Sequence, residues 1–314
     1  MKAVRCNHGK VFVADVPAPS GEGVKVKIAS AGICGSDLHL LASGWPLPNT
    51  LGHELAGTTP NGKAVAIEPV VPCGHCEFCH GGTYHLCMKG QAAIVFGVGL
   101  DGGMAEYITV PERCLVPLPG GIDVKDACLA EPMAVAIHGI VMAEPKPNSR
   151  VLVIGGGSIG LAAVAAAQEV TAHVHLVARH DAQKAAGERL GAKLGADGGT
   201  YDLTIDCAGS TESITEAAKL CRPRGTMLLL TNYWSGVQMP SFDIVGKDLR
   251  VIGSSMYCQH GVIRDIDAAV AIMAKRPVIA EALITHRLPL DAAPDAFAIA
   301  GNRAAGAIKV TLNP

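Results

Sequence analysis

Cysteines in the run Cys73-Gly-His-Cys76-Glu-Phe-Cys79, completed by Cys87, carry the densest chemistry in this chain. The spacing C-x2-C-x2-C-x7-C suits one tetrahedral thiolate site, and four soft ligands with no open corner favour a closed structural zinc. Pro72, Gly74, Gly81 and Gly82 let the backbone turn around an ion. A pair of disulfides and an iron–sulfur cluster are the competing readings of the same pattern. A closed site of this kind shapes a lobe but performs no reaction.

A second pattern points to a nucleotide. Val151-Leu-Val-Ile-Gly155-Gly-Gly157-Ser158-Ile159-Gly160 sets G-x-G-x-x-G between a strand-like and a helix-like segment. Gly155 makes the tight turn, Gly157 lets the backbone approach a pyrophosphate, and Gly160 lets helix pack on strand. Ser158 and Ile159 begin the helix whose N-terminus faces the phosphates. An NAD site calls for an acid at the end of the second strand, to accept hydrogen bonds from the ribose hydroxyls. Here that strand ends Val177-Ala178-Arg179-His180. Arg179 suits a 2′-phosphate, which a carboxylate would repel, so the expectation is NADP(H) over NAD(H). The alternatives are a solvated Arg179 and an Asp181 turned inward.

The remaining metal-binding candidates are dispersed. Gly32-Ile-Cys34-Gly-Ser36-Asp37-Leu-His39 packs a thiol, a hydroxyl, a carboxylate and an imidazole together; His53-Glu54 pairs an imidazole with a carboxylate; Glu131 follows Ala130. Each alone reads as readily as core or surface, since a lone buried cysteine is most often a small hydrophobe.

These groups depend on a scaffold, and the chain has length for one. Its 314 residues are 49% hydrophobic and 17% charged, which allows a sizeable core and excludes disorder. Net charge is −2 with no basic block, which argues against nucleic acid as a partner. No apolar stretch reaches the ~20 residues of a membrane span, and no signal peptide is legible. With 11 cysteines, an odd number, the expectation is a cytoplasmic protein whose thiols are free or metal-bound, and this disfavours the disulfide reading.

Residues 1–130 are rich in glycine, proline and valine, with alternating runs at 24–28 and 105–110, and read as a β-rich domain. An apolar helix is expected over 133–143. Strands at 150–154, 173–178, 201–207, 226–231 and 250–254 then alternate with helices at 159–170, 181–190, 211–220 and 262–274, as in a doubly wound parallel sheet. The tail from residue 282 returns to short mixed elements.

Taken together, Gly-Ile-Cys-Gly-Ser-Asp-x-His, Gly-His-Glu, the cysteine lobe, Asp101-Gly-Gly-Met-Ala-Glu-Tyr107, Glu-Pro-Met-Ala-Val-Ala and the glycine motif resemble the zinc-dependent medium-chain alcohol dehydrogenases, in family order and over nearly the whole chain. The resemblance implies an α/β architecture: a GroES-like catalytic domain over 1–133, a Rossmann dinucleotide-binding domain over 134–258, and a return to the catalytic domain over 259–314. It implies two zinc ions per chain, one structural on the four cysteines and one catalytic on Cys34, His53 and Glu131, with Glu54 beside it as an exchanging ligand. Asp37 would orient His53. Glu131, where other members carry cysteine, is similar to the polyol and sorbitol dehydrogenase branch.

The activity implied is hydride transfer between NADP(H) and a small secondary alcohol or polyol, or the matching ketone or aldehyde. Ser36 and His39 would relay the proton. An NAD-dependent polyol dehydrogenase and a non-catalytic nucleotide-binding protein are the alternatives. Asn232 is placed to approach the nicotinamide and Lys309 to reach the pyrophosphate; Trp45 is either pocket lining or core. Family membership also implies a homo-dimer or homo-tetramer. Two segments are shorter than in the family: that between Glu54 and Cys73, where Pro60-Asn-Gly62 reads as a trimmed hairpin, and residues 193–200, where a further strand and helix usually lie.

Overall fold

The computed structural model describes residues 1–314. The chain divides into two units, residues 1–131 with 258–314, and residues 132–257.

The first unit is built on a seven-stranded sheet. Its order runs Ile284–Pro289, Lys309–Asn313, Val24–Gly32, Glu54–Thr58, Ala64–Ile67, Leu115–Pro117, with Tyr107–Val110 also pairing Val24–Gly32. The two strands from the tail thus lie in the same sheet as the N-terminal ones, Lys309–Asn313 running antiparallel to Val24–Gly32. Alternation explains Val24–Gly32: Val26 and Ile28 are buried while Lys25 and Lys27, alternating with them, face outward. The trimmed hairpin is real. Glu54–Thr58 turns into Ala64–Ile67 through Gly62 at φ 79°, with Thr59 and Lys63 closing the loop. Lys2–Asn7 and Lys10–Asp15 form a separate hairpin whose two turn residues, His8 and Gly9, both have positive φ, the turn that matches strand twist. Apolar side chains from these strands and from Ala293–Gly301 make one core around Val4, Leu55, Phe96 and Leu312.

The second unit is a six-stranded parallel sheet ordered Lys193–Leu194, Val174–Val177, Val151–Ile154, Tyr201–Asp206, Cys221–Leu229, Arg250–Gly253. Numbered along the chain this is 3-2-1-4-5-6, the doubly wound order with its switch point beside the first strand. Val151–Ile154 is buried at every position, as a central parallel strand must be. Asp181–Leu190 and Thr211–Leu220 lie where the hydrophobic period puts them, and the first ends at Gly191 in the left-handed region.

The short segment after Gly191 keeps the third strand as a two-residue stub and has no helix between Leu194 and Tyr201. Side-chain contacts hold that connection. Arg150 pairs with Asp197 at 2.5 Å and lies 4.9 Å from the centre of the Tyr201 ring, whose hydroxyl accepts the Asp197 N–H. One expected helix starts late: residues 262–264 belong to a ribbon, Gln259–His260 with Ile263–Arg264, and the helix is Asp265–Lys275. The expected strand at 226–231 begins earlier, at Cys221, directly after the preceding helix. No helix is long and apolar enough to cross a membrane.

Candidate active site

The cysteine lobe folds around its sulfurs. Cys76 caps the single turn Glu77–His80, and Gly74 and Gly82 take positive φ at the bends. Sγ–Sγ distances are 3.7 Å for Cys73–Cys79 and 3.4 Å for Cys76–Cys79. Zinc–sulfur bonds of about 2.3 Å in a tetrahedron set sulfurs about 3.8 Å apart, whereas a disulfide needs about 2.05 Å. No cysteine of the chain is in a disulfide, so the disulfide reading fails. Backbone N–H groups point at the sulfurs, as from Cys73 to Cys87 Sγ at 3.3 Å. The Met88 amide, then that of Cys79, pull the Cys76 thiol down to about 6, while burial and then Cys76 push Cys79 up to about 12. Crowded sulfurs resist ionising together, and a dication is what lets them do so. The donor set fits zinc.

Cys34, His53 and Glu54 come together in the first unit, their ligand atoms within 4.8 Å of one another. Cys34 is the N-cap of the helix Gly35–Ser43, and Asp37 at the third position accepts its N–H at 2.9 Å, a capping box that fixes the thiol at the helix start. His53 and Glu54 end the approach to the strand Glu54–Thr58, and Gly32 opposite has no room for a side chain: a Cβ there would lie 2.0 Å from Glu54 Oε2. Ser36 Oγ lies 3.4 Å from His53 Nε2.

The expectation that Asp37 orients His53 needs correction. Asp37 Oδ1 is 3.6 Å from His53 Nδ1, an ion-pair distance too long for a hydrogen bond, because its other oxygen is committed to capping Cys34. Glu131, in the first turn of Ala130–Ala143, is buried beside the cluster but lies outside its tight set. Burial pushes its carboxyl up to about 7, with His53 pulling down and Glu54 pushing up. Burial lowers the pKa of His53, yet Asp37, then Cys34 and Glu131, raise it well above the ordinary value. The pocket thus gathers buried sulfur, nitrogen and oxygen donors, a mixed set that suits a borderline divalent cation.

Lys309 overturns a second expectation. Far from reaching a pyrophosphate, it is 1% exposed, with Nζ 2.6 Å from both carboxylate oxygens of Glu54 and 3.0 Å from the Ile33 carbonyl. The sequence signal was there: a lysine amid the apolar strand Ala307-Ile-Lys-Val is a buried charge that needs a partner. His39 is exposed in the middle of the helix that begins beside Ser36. Partial burial and then Arg303 lower its pKa, so it is neutral at neutral pH. Trp45 is 51% exposed and not core.

The glycine turn of the second unit has the shape its sequence implied. Gly155 sits at φ 107°. A Cβ on Gly160 would lie 1.8 Å from the Gly155 carbonyl oxygen, while one on Gly157, the N-cap of Ser158–Gln168, would meet nothing within 4 Å. The first contact forces glycine, and the second is the open approach a pyrophosphate uses. Ile159 follows Ser158 in that helix's first turn. Ala178, Arg179 and His180 follow the strand Val174–Val177. Arg179 is exposed, and His180 caps the helix Asp181–Leu190. Asp181 does not turn inward: its side chain is 98% exposed and pairs with Lys184 at 3.0 Å. Asn232 is exposed past the end of Cys221–Leu229. Sequence reasoning passed over Asp206, a buried carboxylate at the end of its strand that accepts the Ala208 and Gly209 N–H groups and the Tyr233 hydroxyl at 2.8 Å.

Comparison with known proteins agrees with this geometry. Residues 20–120 match the alcohol dehydrogenase GroES-like domain, and residues 158–275 match the zinc-binding dehydrogenase domain. Galactitol 1-phosphate 5-dehydrogenase of Escherichia coli K12 is 30% identical, over 90% of this chain and 91% of that one. A zinc-binding dehydrogenase of Sinorhizobium meliloti 1021, solved with NADP, is 30% identical over 100% of this chain and 99% of that one, with a TM-score of 0.87. An alcohol dehydrogenase of Escherichia coli CFT073, solved with NADH, is 26% identical over 100% and 99% of the two chains, with a TM-score of 0.85. The chain belongs to the zinc-dependent medium-chain alcohol dehydrogenases, oxidoreductases that use a nicotinamide cofactor, in their polyol-dehydrogenase-like branch.

Proposed function

We propose that this enzyme transfers hydride between NADP(H) and a small polyol or secondary alcohol, or the matching carbonyl compound, and carries two zinc ions. Cys73, Cys76, Cys79 and Cys87 hold the structural ion; Cys34, His53 and Glu131 hold the catalytic one, with Glu54 available beside them. The observation that carries the reading is the buried cluster of Cys34, His53 and Glu54 with Glu131 at its side, which brings sulfur, nitrogen and oxygen donors within reach of one ion. Zinc bound there supplies a Lewis acid that lowers an alcohol's pKa and polarises a carbonyl, and the dinucleotide supplies the hydride chemistry.

The chain's own residues do the rest. Ser36 Oγ, at 3.4 Å from His53 Nε2, accepts the proton of the substrate hydroxyl as it passes its own hydroxyl proton onward. His39, neutral at neutral pH and exposed, accepts the proton on its way to water. Lys309 neutralises Glu54 and keeps that carboxylate aimed at the cluster. Substitution of glutamate for a cysteine ligand donates less charge to the ion and leaves it the stronger Lewis acid.

Support for NADP comes from Arg179, exposed just past the second strand, and from the outward pairing of Asp181 with Lys184, which turns that acid away from a ribose. The relative solved with NADP is consistent with this, and the one solved with NADH marks the alternative, an NAD-dependent polyol dehydrogenase. The test is oxidation of NADPH and NADH side by side over ketones, aldehydes and keto-sugars, repeated with Arg179→Ala. The reading expects turnover favouring NADPH, and a KM for NADPH raised at least tenfold in the variant with that for NADH unmoved. Equal effects on both cofactors refute the assignment of Arg179; turnover with neither, in zinc-loaded protein, refutes the substrate class.

A further inference from the structure

We propose that Cys258, His260 and Asp265 form a third metal site, taking a borderline divalent cation such as zinc through one sulfur, one nitrogen and one oxygen. All three lie in the first unit, and none belongs to the cysteine lobe or to the cluster around His53. Their ligand atoms fall within 4.8 Å of one another. Cys258 Sγ is 4.0 Å from His260 Nε2, and that nitrogen is 3.5 Å from Asp265 Oδ1. Bonds of about 2.3 Å to sulfur and about 2.0 Å to nitrogen or oxygen, set tetrahedrally, separate sulfur from nitrogen by about 3.5 Å and nitrogen from oxygen by about 3.3 Å. The sulfur–nitrogen and nitrogen–oxygen pairs are therefore each within about half an ångström of their ligated separations.

Hydrogen bonds hold the frame of these groups. Asp265 Oδ2 accepts the Cys258 N–H at 2.9 Å, which leaves Oδ1 turned to the imidazole. The Asp265 N–H returns a bond to the Cys258 carbonyl at 3.0 Å. Between them the ribbon pairs Gln259 with Arg264 and His260 with Ile263, turning through Gly261 at φ 61°. The Gln259 N–H bonds the Gly82 carbonyl, tying the ribbon to the cysteine lobe. Preorganisation of this kind is what a ligand set needs from its supporting shell. The plainer reading is a surface histidine–aspartate pair, worth little. It gives no reason for a thiol, 1% exposed, on the same imidazole nitrogen. The His260 side chain is 39% exposed while Cys258 and Asp265 are buried, so the site has buried ligands and an open entry.

The whole chain, saturated with cobalt(II) and desalted, is weighed by native mass spectrometry beside His260→Ala and Cys258→Ser, and the thiolate-to-cobalt absorption is recorded. Each variant is expected to hold one ion fewer than the parent, and Cys258→Ser to lose absorption from one sulfur. Variants that hold as many ions as the parent overturn the proposal. His260 is half-exposed, so its replacement decides the matter if the buried Cys258→Ser chain fails to fold. Because the readout is a difference between proteins, it stands whatever count is found at the two proposed zinc sites.

Discussion

Replacing Lys309 by methionine tests the buried pair beneath the catalytic cluster. Its amine is 2.6 Å from both oxygens of Glu54, and the side chains are 1% and 0% exposed, so solvent screening is absent. At that distance the attraction is about 6 kcal/mol for an effective dielectric of 20. Desolvation offsets much of it, but removing one partner strands the other charge, and the expected loss for Lys309→Met is about 3–5 kcal/mol. Glu54→Gln on its own strands the amine at similar cost. The double variant Glu54→Gln/Lys309→Met, neutral and close in volume, should recover most of the loss, for a coupling energy above about 2 kcal/mol.

The assay is urea unfolding of zinc-saturated protein in a Trp234→Phe background. There Trp45 is the one tryptophan left, and it reports on the unit that holds the pair. Burial lowers the pKa of Lys309 and Glu54 raises it, with the net direction upward. A folded pKa above the unfolded one means the contribution is fully present below the unfolded value, and lost only as pH rises through the folded one. The coupling should therefore be the same at pH 7 and pH 9. A coupling below about 0.5 kcal/mol, the size of an exposed pair, would refute the reasoning.

Three further expectations follow from single contacts. Gly160→Ala puts a methyl 1.8 Å from the Gly155 carbonyl oxygen, so the turn must shift; NADPH affinity by fluorescence titration should fall at least tenfold, and an unchanged Kd contradicts the geometry. Ser36→Ala should lower kcat without loss of zinc, and His39→Gln should abolish an acid-side fall of alcohol oxidation; because the His39 pKa lies below 6.5, that fall sits below pH 6.5 in the parent, and an identical pH profile in the variant rules the relay out. Cys76→Ser should cost one zinc per chain and several degrees of melting temperature while leaving the Cys34 cluster able to bind its ion; retention of all the zinc by the variant contradicts the lobe assignment.

Local chemistry was the legible part. Sulfur spacing announced the lobe at Cys73–Cys87 because ligands close in sequence need only a few turns to converge, and Gly155, Gly157 and Gly160 are glycines for steric reasons that a strand–turn–helix carries with it. Hydrophobic period located Asp181–Leu190 and Thr211–Leu220 for the same reason: amphipathic order is written within one helix. The shortened segment after Gly191 was legible as a deficit, but its outcome was not, since whether a two-residue strand survives depends on pairing with Val174–Val177 and on Arg150 clamping Asp197.

What only the tertiary structure decided lies between residues far apart in the chain. Lys309 and Glu54 are 255 positions apart, and only the sheet that places Lys309–Asn313 beside Val24–Gly32 turns a lysine expected at a phosphate into the partner of a carboxylate. Asp37 had one partner by sequence and acquired another, because its helix position made the Cys34 N–H the nearer donor. Cys258 and His260 fell between an expected strand and an expected helix, and Asp265 within that helix, until the ribbon at 259–264 folded their donor atoms together. A sequence names donors and charges, but the energy of a buried charge depends on which opposite charge the fold carries to it.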